Sequence, residues 1–410
     1  MHGQEAIQSQ ENGATPACNA ADENGRTRLR IQHVIGSFQV GGAERYALQL
    51  ASRQAREGHD VHVVALAEGP LIDAFREAGI TLQTMLKMAR LDPTLPARLA
   101  SLFVRNDVDV VHTHNPPPLV YASLAARTVG AVLVHTKHGV NQDRQRRMWL
   151  RKVVANLVHR VVAVSEDTAR HAVFQGEVTS DRVHVIRSGV DTDLFRPRPD
   201  ARDRIRTELG IGPDEWVIGS VGRLVPEKNH ASLLRAAAPL LRGHNARILL
   251  VGQGPERPTL EALARQLGIE NKVLLAGMRH DTHDVLSAMD VFALSSRTEG
   301  MPLALLEAMA TELAVVCTRV GGIPALLKGS NAGALVPSEN DDALAEGLRR
   351  LHADPQEARR MGVRARQLVT IQHGMHVVTR ETTALYARVM REVESSRSTQ
   401  VIRAVRSLAA

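Results

Sequence analysis

At 410 residues, with 44% hydrophobic and only 3% aromatic side chains, the chain is globular in composition and too long for one ordinary core, which predicts two domains. Lysine and arginine (51) exceed aspartate and glutamate (44), a modest basic balance that suits a phosphorylated ligand or an anionic surface; with aromatic platforms this scarce, nucleic-acid binding is not expected. No run approaches the ~18 uninterrupted apolar residues of a membrane span, and two lone cysteines, Cys18 and Cys317, argue against a structural disulfide and for a reducing compartment.

Residues 1–27 are polar and lack the apolar centre of a secretion signal, so this leader reads as disordered. From Leu29 onward, short β-branched runs alternate with helical patterns, the signature of an α/β fold with parallel sheets covered by helices. Strands are expected at 29–36, 61–66, 108–115, 132–138, 160–165 and 182–189. Between the first two, Ala43, Ala47, Leu50, Ala51 and Gln54 share a helical face, Arg45, Arg53 and Arg56 lie off it, and Gly58 stops the helix. At 143–160, an apolar stripe (Leu150, Val153, Val154, Leu157, Val158) adjoins a basic end with Arg144, Arg146, Arg147, Arg151, Lys152 and Trp149. That pattern is either a helix covering the sheet with a solvated face or a contact for an anionic bilayer or lipid-linked substrate. The polar stretch 191–206 is the expected interdomain linker. A second series has strands at 216–223, 246–254, 272–277, 290–296 and 314–322 and helices near 341–353, 355–371 and 376–394, while no element is assigned to the tail, 396–410. Two doubly wound domains of this kind leave a cleft beside the carboxyl ends of their strands, where open α/β sheets bind ligands.

The segment EGMPLALLEAMA (299–310) is the most informative. Pro302 suits the first helical turn, and the N–H groups of Gly300, Met301 and Leu303 then sit at a helix N-terminus suited to phosphate. Glu299 and Glu307 flank them as acceptors for hydroxyl groups. In SVGRLVPEKN (220–229), Arg223 at a strand end and Lys228 at the next helix start suit a diphosphate, unless they are two solvated surface charges. VGQGPER (251–257) imitates a dinucleotide fingerprint without its third glycine or its acidic residue, so Gly252 and Gly254 more plausibly serve a tight turn with close backbone approach, and both are candidates to border the ligand there. Gly41 and Gly42 between the first strand and helix could offer amides to a phosphate or sugar, or form an ordinary turn. His112, His114 and His138 fall at the ends of neighbouring strands, with His112 and His114 on one side of theirs. His112 and His114 are candidates for the acceptor side of the cleft, or one of these histidines is a packed, hydrogen-bonded core residue while another reaches the cleft; a metal site is the sharper alternative, but no carboxylate or cysteine completes the set.

These motifs, in this order, resemble family 4 glycosyltransferases, retaining enzymes with the GT-B fold, from Leu29 to about Val393. The carrying elements are GGAE (41–44), VSEDTAR (164–170), SGVDTDLF (188–195), VGRLVPEKN (221–229), VGQGP (251–255), the E-x7-E pair Glu299 and Glu307, and VGGIPALL (320–327). The resemblance implies a sugar-nucleotide donor, probed for residue by residue. Arg223 and Lys228 would hold its diphosphate and stabilise the leaving group's charge; Glu299, beside the amides of Gly300 and Met301, would hold sugar hydroxyls and Glu307 the ribose. Gly42 matches the glycine-rich loop facing the donor phosphates, His138 a histidine near the reacting sugar, and Met278 with Arg279 a loop bordering the base. No metal or other cofactor is expected. It also implies an N-terminal acceptor-side domain (28–200), a donor domain (201–375), a crossover helix (376–395) returning to the first domain, and the tail (396–410). The expected activity is transfer of a sugar, with UDP the preferred nucleotide, to a cell-envelope, lipid-linked or exopolysaccharide precursor, in the cytoplasm or at the inner face of its membrane. A sugar-nucleotide epimerase or hydrolase on the same fold, or a non-catalytic nucleotide-sugar-binding protein, is the alternative. The VGQGP turn departs from the family pattern in having no acidic residue between its glycines.

Overall fold

The computed structural model describes residues 28–88, 91–139, 154 and 156–408, with 397–408 described as helical backbone alone. The expectations for the leader (1–27) and for residues 143–153 of the basic helix lie outside these residues. The carboxyl end of that expected helix is not helical: residues 156–157 turn and a strand begins at Arg160. Val154 and Val158 are nevertheless buried, as the apolar stripe required.

Thirteen strands among the described residues form two all-parallel sheets. The first has the order β3-β2-β1-β4-β5-β6-β7, with β1 Arg30–Ile35, β2 Asp60–Ala65, β3 Thr81–Thr84, β4 Val110–His114, β5 Val132–Lys137, β6 Arg160–Ala163 and β7 Val183–Val185. The second has the order β10-β9-β8-β11-β12-β13, with β8 Trp216–Val221, β9 Ala246–Val251, β10 Val273–Gly277, β11 Val291–Leu294, β12 Ala314–Thr318 and β13 Ala334–Val336. Central strands read as continuous apolar runs because helices cover both faces; β11 and β12 are buried at every position. Two strands escaped the sequence reading, and both are edges. Thr81–Thr84 (TLQT) alternates between exposed and half-buried, and Ala334–Val336 is three residues long, so neither carries an apolar run. In each sheet the strand order reverses beside the first strand, between β1 and β4 and between β8 and β11, which opens a crevice at the carboxyl ends.

The chain changes domain twice, and the two crossings pair. Val190 accepts from the Met375 amide (2.9 Å) and donates its own to the His373 carbonyl (2.8 Å), while the His373 ring Nδ1 donates to the Ser188 carbonyl (2.8 Å). The first changeover therefore comes before the boundary expected at 200: Phe195 and Ile205 already sit in the second domain's core. Part of the expected linker is the helix Pro199–Glu208, started by its proline. The last helix runs Met375–Leu408, so it continues through most of the segment to which no element was assigned. Its Met375, Val378, Leu385, Tyr386 and Val389 pack on β1, β4, β5 and the helix Gly42–Arg56 through Ile31, Val110, Val134, Tyr46 and Leu50. At about 1.5–3 kcal/mol for each large apolar side chain buried, this seam holds the crossover helix to the first domain.

Candidate functional site

A cleft of about 700 Å³ opens between the two sheets and draws its walls from both domains. On the second-domain side it is lined by Arg223, Lys228, Gly252, Met278, Arg279, Glu299, Gly300, Met301, Pro302, Leu303 and Glu307, all residues singled out from the sequence. The helix itself begins at Leu303; Pro302 is its N-cap with an extended ψ of 115°, one residue before the helical turn expected to contain it. None of the Gly300, Met301 and Leu303 amides donates to a backbone carbonyl among the described residues, so they are available at this helix end.

Local backbone explains where the charged groups stand. Lys228 closes a short 3-10 turn, Pro226–Lys228, and Asn229 follows in the left-handed region (φ 48°). The Ser295 hydroxyl at the end of β11 donates to the Lys228 and Asn229 carbonyls (3.1 and 2.9 Å), tying that turn to the Glu299 loop. Glu299 Oε1 accepts from Lys228 Nζ (2.5 Å) and from the Ser296 hydroxyl (2.6 Å). The loop is buttressed from behind: the Gly322 amide donates to the Gly300 carbonyl (2.8 Å), and a Cβ on Gly321 would meet the Glu299 carbonyl at 2.0 Å. In front, a Cβ on Gly300 would lie 2.6 Å from the His138 carbonyl of the first domain. Gly252 has φ 143° and its Cβ would strike the Gly222 carbonyl, so two loops meet back to back as the close-approach reading required. Gly254 makes the expected close approach too, against the Leu224 carbonyl, but it does not line the cleft, a correction to its place among the donor-binding candidates.

From the first domain come Gly41, Gly42, Glu44, Arg45, Asn115, His138 and Ser188. Arg45 reaches across the cleft, donating to the Thr282 hydroxyl (3.0 Å) and the Arg279 carbonyl (3.4 Å), and stands 3.9 Å from Glu307. Glu307 is 2% exposed and its Oε1 accepts no hydrogen bond. Burial raises its pKa against the opposing pull of Arg45. Burial likewise raises the Glu44 carboxyl, opposed by its own backbone hydrogen bond and by Arg223. The Arg279 guanidinium is engaged by Asp281 (2.6 Å) and Glu208, leaving its backbone and the 41%-exposed Met278 toward the cleft.

The histidine expectations divide. His138 lines the cleft, but His112 and His114 are buried at 0% and 1% exposure and do not, a correction to their placement on the acceptor side. They do share a face, with ring centroids 4.4 Å apart. The physical reason is that the crossover helix and Gly42–Arg56 cover this face and supply partners: His112 meets the Tyr386 hydroxyl (2.5 Å) and Thr136 (2.6 Å). His33, His112 and His114 carry six ring nitrogens, and one from each residue lies within 4.8 Å of the other two, a set of metal-ligand size that the sequence did not suggest. Every one of those six nitrogens already has a hydrogen-bond partner, so the set is satisfied as a polar network without an ion.

In the sequence Glu44 falls in the GGAE motif and Arg45 off the apolar face of the helix that follows, and neither position assigned a role in the cleft. Their signal was position: the first turn of a helix opening onto the cleft. Asn115 offered another, since an asparagine before three prolines marks a special backbone, and its φ is 68°. Ser188 and Gly321 fall inside the SGVDTDLF and VGGIPALL elements, which assigned them no role, and Thr282 had no local signal.

The sequence matches two family models: Glycosyltransferase Family 4 over residues 40–194 and Glycosyl transferases group 1 over residues 201–368. A mannosyltransferase of Mycolicibacterium smegmatis, GDP-mannose-dependent and acting on phosphatidylinositol monomannoside by name, is 34% identical over 67% of this chain and 75% of its own. The Escherichia coli UDP-Gal:alpha-D-GlcNAc-diphosphoundecaprenol alpha-1,3-galactosyltransferase is 27% identical over 80% of this chain and 89% of its own. Among solved structures, Anabaena HepE in complex with UDP and glucose superposes with a TM-score of 0.78 at 21% identity, covering 88% of this chain and all of that one, a likeness of fold.

Proposed function

Since the chain belongs to the family 4 glycosyltransferases and has their GT-B fold, we propose that it is a retaining enzyme that moves a sugar from a nucleoside-diphosphate sugar to a lipid-linked or polysaccharide precursor. The observation that carries this reading is the cleft arrangement itself. Glu299 and Glu307 flank a helix N-terminus, Arg223 and Lys228 stand on the same wall, and His138 and Gly42 face them from the other domain.

The diphosphate lies against Arg223, Lys228 and the free amides at Gly300–Leu303. The sugar hydroxyls donate to Glu299, and the ribose hydroxyls donate to Glu307, whose Oε1 is otherwise unpartnered. As the anomeric C–O bond to the diphosphate breaks, negative charge grows on the leaving oxygen beside Lys228 and Arg223. The acceptor hydroxyl oxygen then bonds to the anomeric carbon on the face the diphosphate leaves and passes its proton to the departing phosphate oxygen, which keeps the configuration. The two cations stand where a metal ion would otherwise neutralise the diphosphate, so no metal is required. UDP is the preferred nucleotide, supported by the name of the E. coli relative and opposed by that of the mycobacterial one, whose donor is GDP-mannose. Both relatives' names specify lipid-linked acceptors, which favours an acceptor of that class here. No helix among the described residues is long and apolar enough to cross a membrane, so a lipid-linked acceptor would be met at a membrane surface. An epimerase or hydrolase is less well supported: Glu44 is the single first-domain carboxylate lining the cleft among the described residues, so no carboxylate pair faces the sugar from that domain.

Thermal unfolding with a panel of nucleotide sugars tests the donor: a ligand at 100 times its Kd stabilises by about 2.7 kcal/mol. Turnover with the donor so identified is expected to fall by about 10²–10³ in Lys228→Ala and in Glu299→Ala, with the fold intact. Near-normal transfer by both variants would remove the proposed site.

A further inference from the structure

The cleft histidine is the end of a hydrogen-bonded chain that none of the motifs announces. His138 Nε2 lies 3.2 Å from His114 Nδ1, His114 Nε2 lies 3.0 Å from His33 Nδ1, and His33 Nε2 lies 2.8 Å from Gln54 Oε1. The four residues come from the end of β5, from β4, from β1 and from the helix Gly42–Arg56, so the chain crosses three strands and ends in the helix that begins at the glycine-rich loop. His33, His114 and Gln54 are at most 1% exposed. The rings hold one orientation: His33 with His114 and His114 with His138 are stacked at 26°, and the Tyr46 ring packs edge-on against His138 at 5.0 Å.

A neutral imidazole has one N–H and one lone pair, so a chain of such rings has one direction throughout. Gln54 sets it in the amide orientation of this structure, with Oε1, which can only accept, toward His33 and Nε2 buried without a hydrogen-bond partner. His33 Nε2–H donates to Gln54, His114 Nε2–H donates to His33 Nδ1, and His138 Nε2–H donates to His114 Nδ1. The remaining group, Nδ1 of His138, is a lone pair at the cleft. Burial keeps these rings neutral, holding His138 down to about 3 and His33 to about 4, and His114 well below its ordinary value.

We infer that His33, His114 and Gln54 are positioning residues that fix His138 as the Nε2–H tautomer, so that it presents a hydrogen-bond acceptor to a hydroxyl group in the cleft. That the hydroxyl belongs to the donor sugar rests on the proposed transferase reading; the tautomer does not. A side chain 21 positions from its partner in sequence, on another element, thereby selects the hydrogen-bonding character of a group at the reaction centre.

The test is nitrogen NMR of the full chain labelled at histidine, without substrate, the His138 signals being identified by their loss in His138→Asn. Wild type is expected to carry its proton on Nε2. His114→Leu and Gln54→Leu, acting at different links, are each expected to give a mixture of both tautomers. His114→Gln, whose amide can accept from His138 and donate to His33, is expected to restore the single form. In turnover, His114→Leu should lose about tenfold in kcat, the equivalent of one hydrogen bond, and His114→Gln should recover it. A wild-type proton on Nδ1, or an unchanged Nε2–H tautomer in whichever leucine variants fold, overturns the inference. Because the spectrum needs no donor, its failure leaves the transferase reading standing, and failure of donor binding leaves the tautomer result standing.

Discussion

Glu307→Gln is expected to weaken donor-nucleotide binding far more than it weakens the fold. The carboxylate is 2% exposed and its Oε1 accepts no hydrogen bond, with Arg45 at 3.9 Å as the nearby cation. A hydrogen bond to a charged group contributes about 1.5–3 kcal/mol and a neutral one about 0.5–1.5. Two ribose hydroxyls donating to the carboxylate, reduced to one good acceptor and one amide donor, therefore lose about 2–3 kcal/mol, or about 30- to 150-fold in Kd. The empty variant sheds a buried charge, so its unfolding temperature should hold or rise. Calorimetric titration with UDP and with 2′,3′-dideoxy-UDP measures this directly. Wild type should prefer the nucleotide with both hydroxyls, and Glu307→Gln should bind the two nearly alike. A variant that binds UDP within about twofold of wild type refutes the assignment of Glu307 to the ribose, since tenfold in Kd corresponds to only about 1.4 kcal/mol.

Three further outcomes are expected. Because burial raises the Glu307 pKa, holding the carboxyl ionised costs the empty folded protein stability, and that cost disappears as pH falls through the raised value; nucleotide affinity, which needs the ionised form, should fall over the same window above the ordinary carboxyl range, and more steeply than in Glu307→Gln. Gly300→Ala places a Cβ 2.6 Å from the His138 carbonyl and should part the domains at a cost of about 1–3 kcal/mol, seen as a wider particle by X-ray scattering and a raised donor KM; unchanged scattering and KM would show that the contact does not hold the cleft closed. Replacing Arg146, Arg147 and Arg151 by glutamine should weaken flotation with anionic vesicles, whereas equal flotation of the wild type with neutral vesicles would count against an electrostatic membrane contact.

What could be read without coordinates was what depends on neighbours in the chain. Apolar runs such as ILLV and VFAL placed the central strands because both faces of a parallel sheet are covered, while TLQT and ALV, at sheet edges, had no such demand on them. The E-x7-E spacing and the Arg223 and Lys228 turn were legible because each motif sits on one loop or one helix start. His112 and His114 show where that logic stops. Their spacing put both on one side of β4, but whether that side faced the cleft or the core depended on Gly42–Arg56 and the crossover helix, the latter more than 250 residues away in sequence.

The sequence by itself therefore determined the fold class, the second-domain wall of the cleft and the family. Tertiary structure alone decided that His112 and His114 turn into the core, that Arg45 leans over Glu307, that Gly300 must be bare against His138, and that Gln54 stands behind His33. The division has a physical cause. Backbone periodicity and turn chemistry act over a few residues, whereas a buried hydrogen bond or a sub-van der Waals approach exists only once distant elements have packed and excluded water.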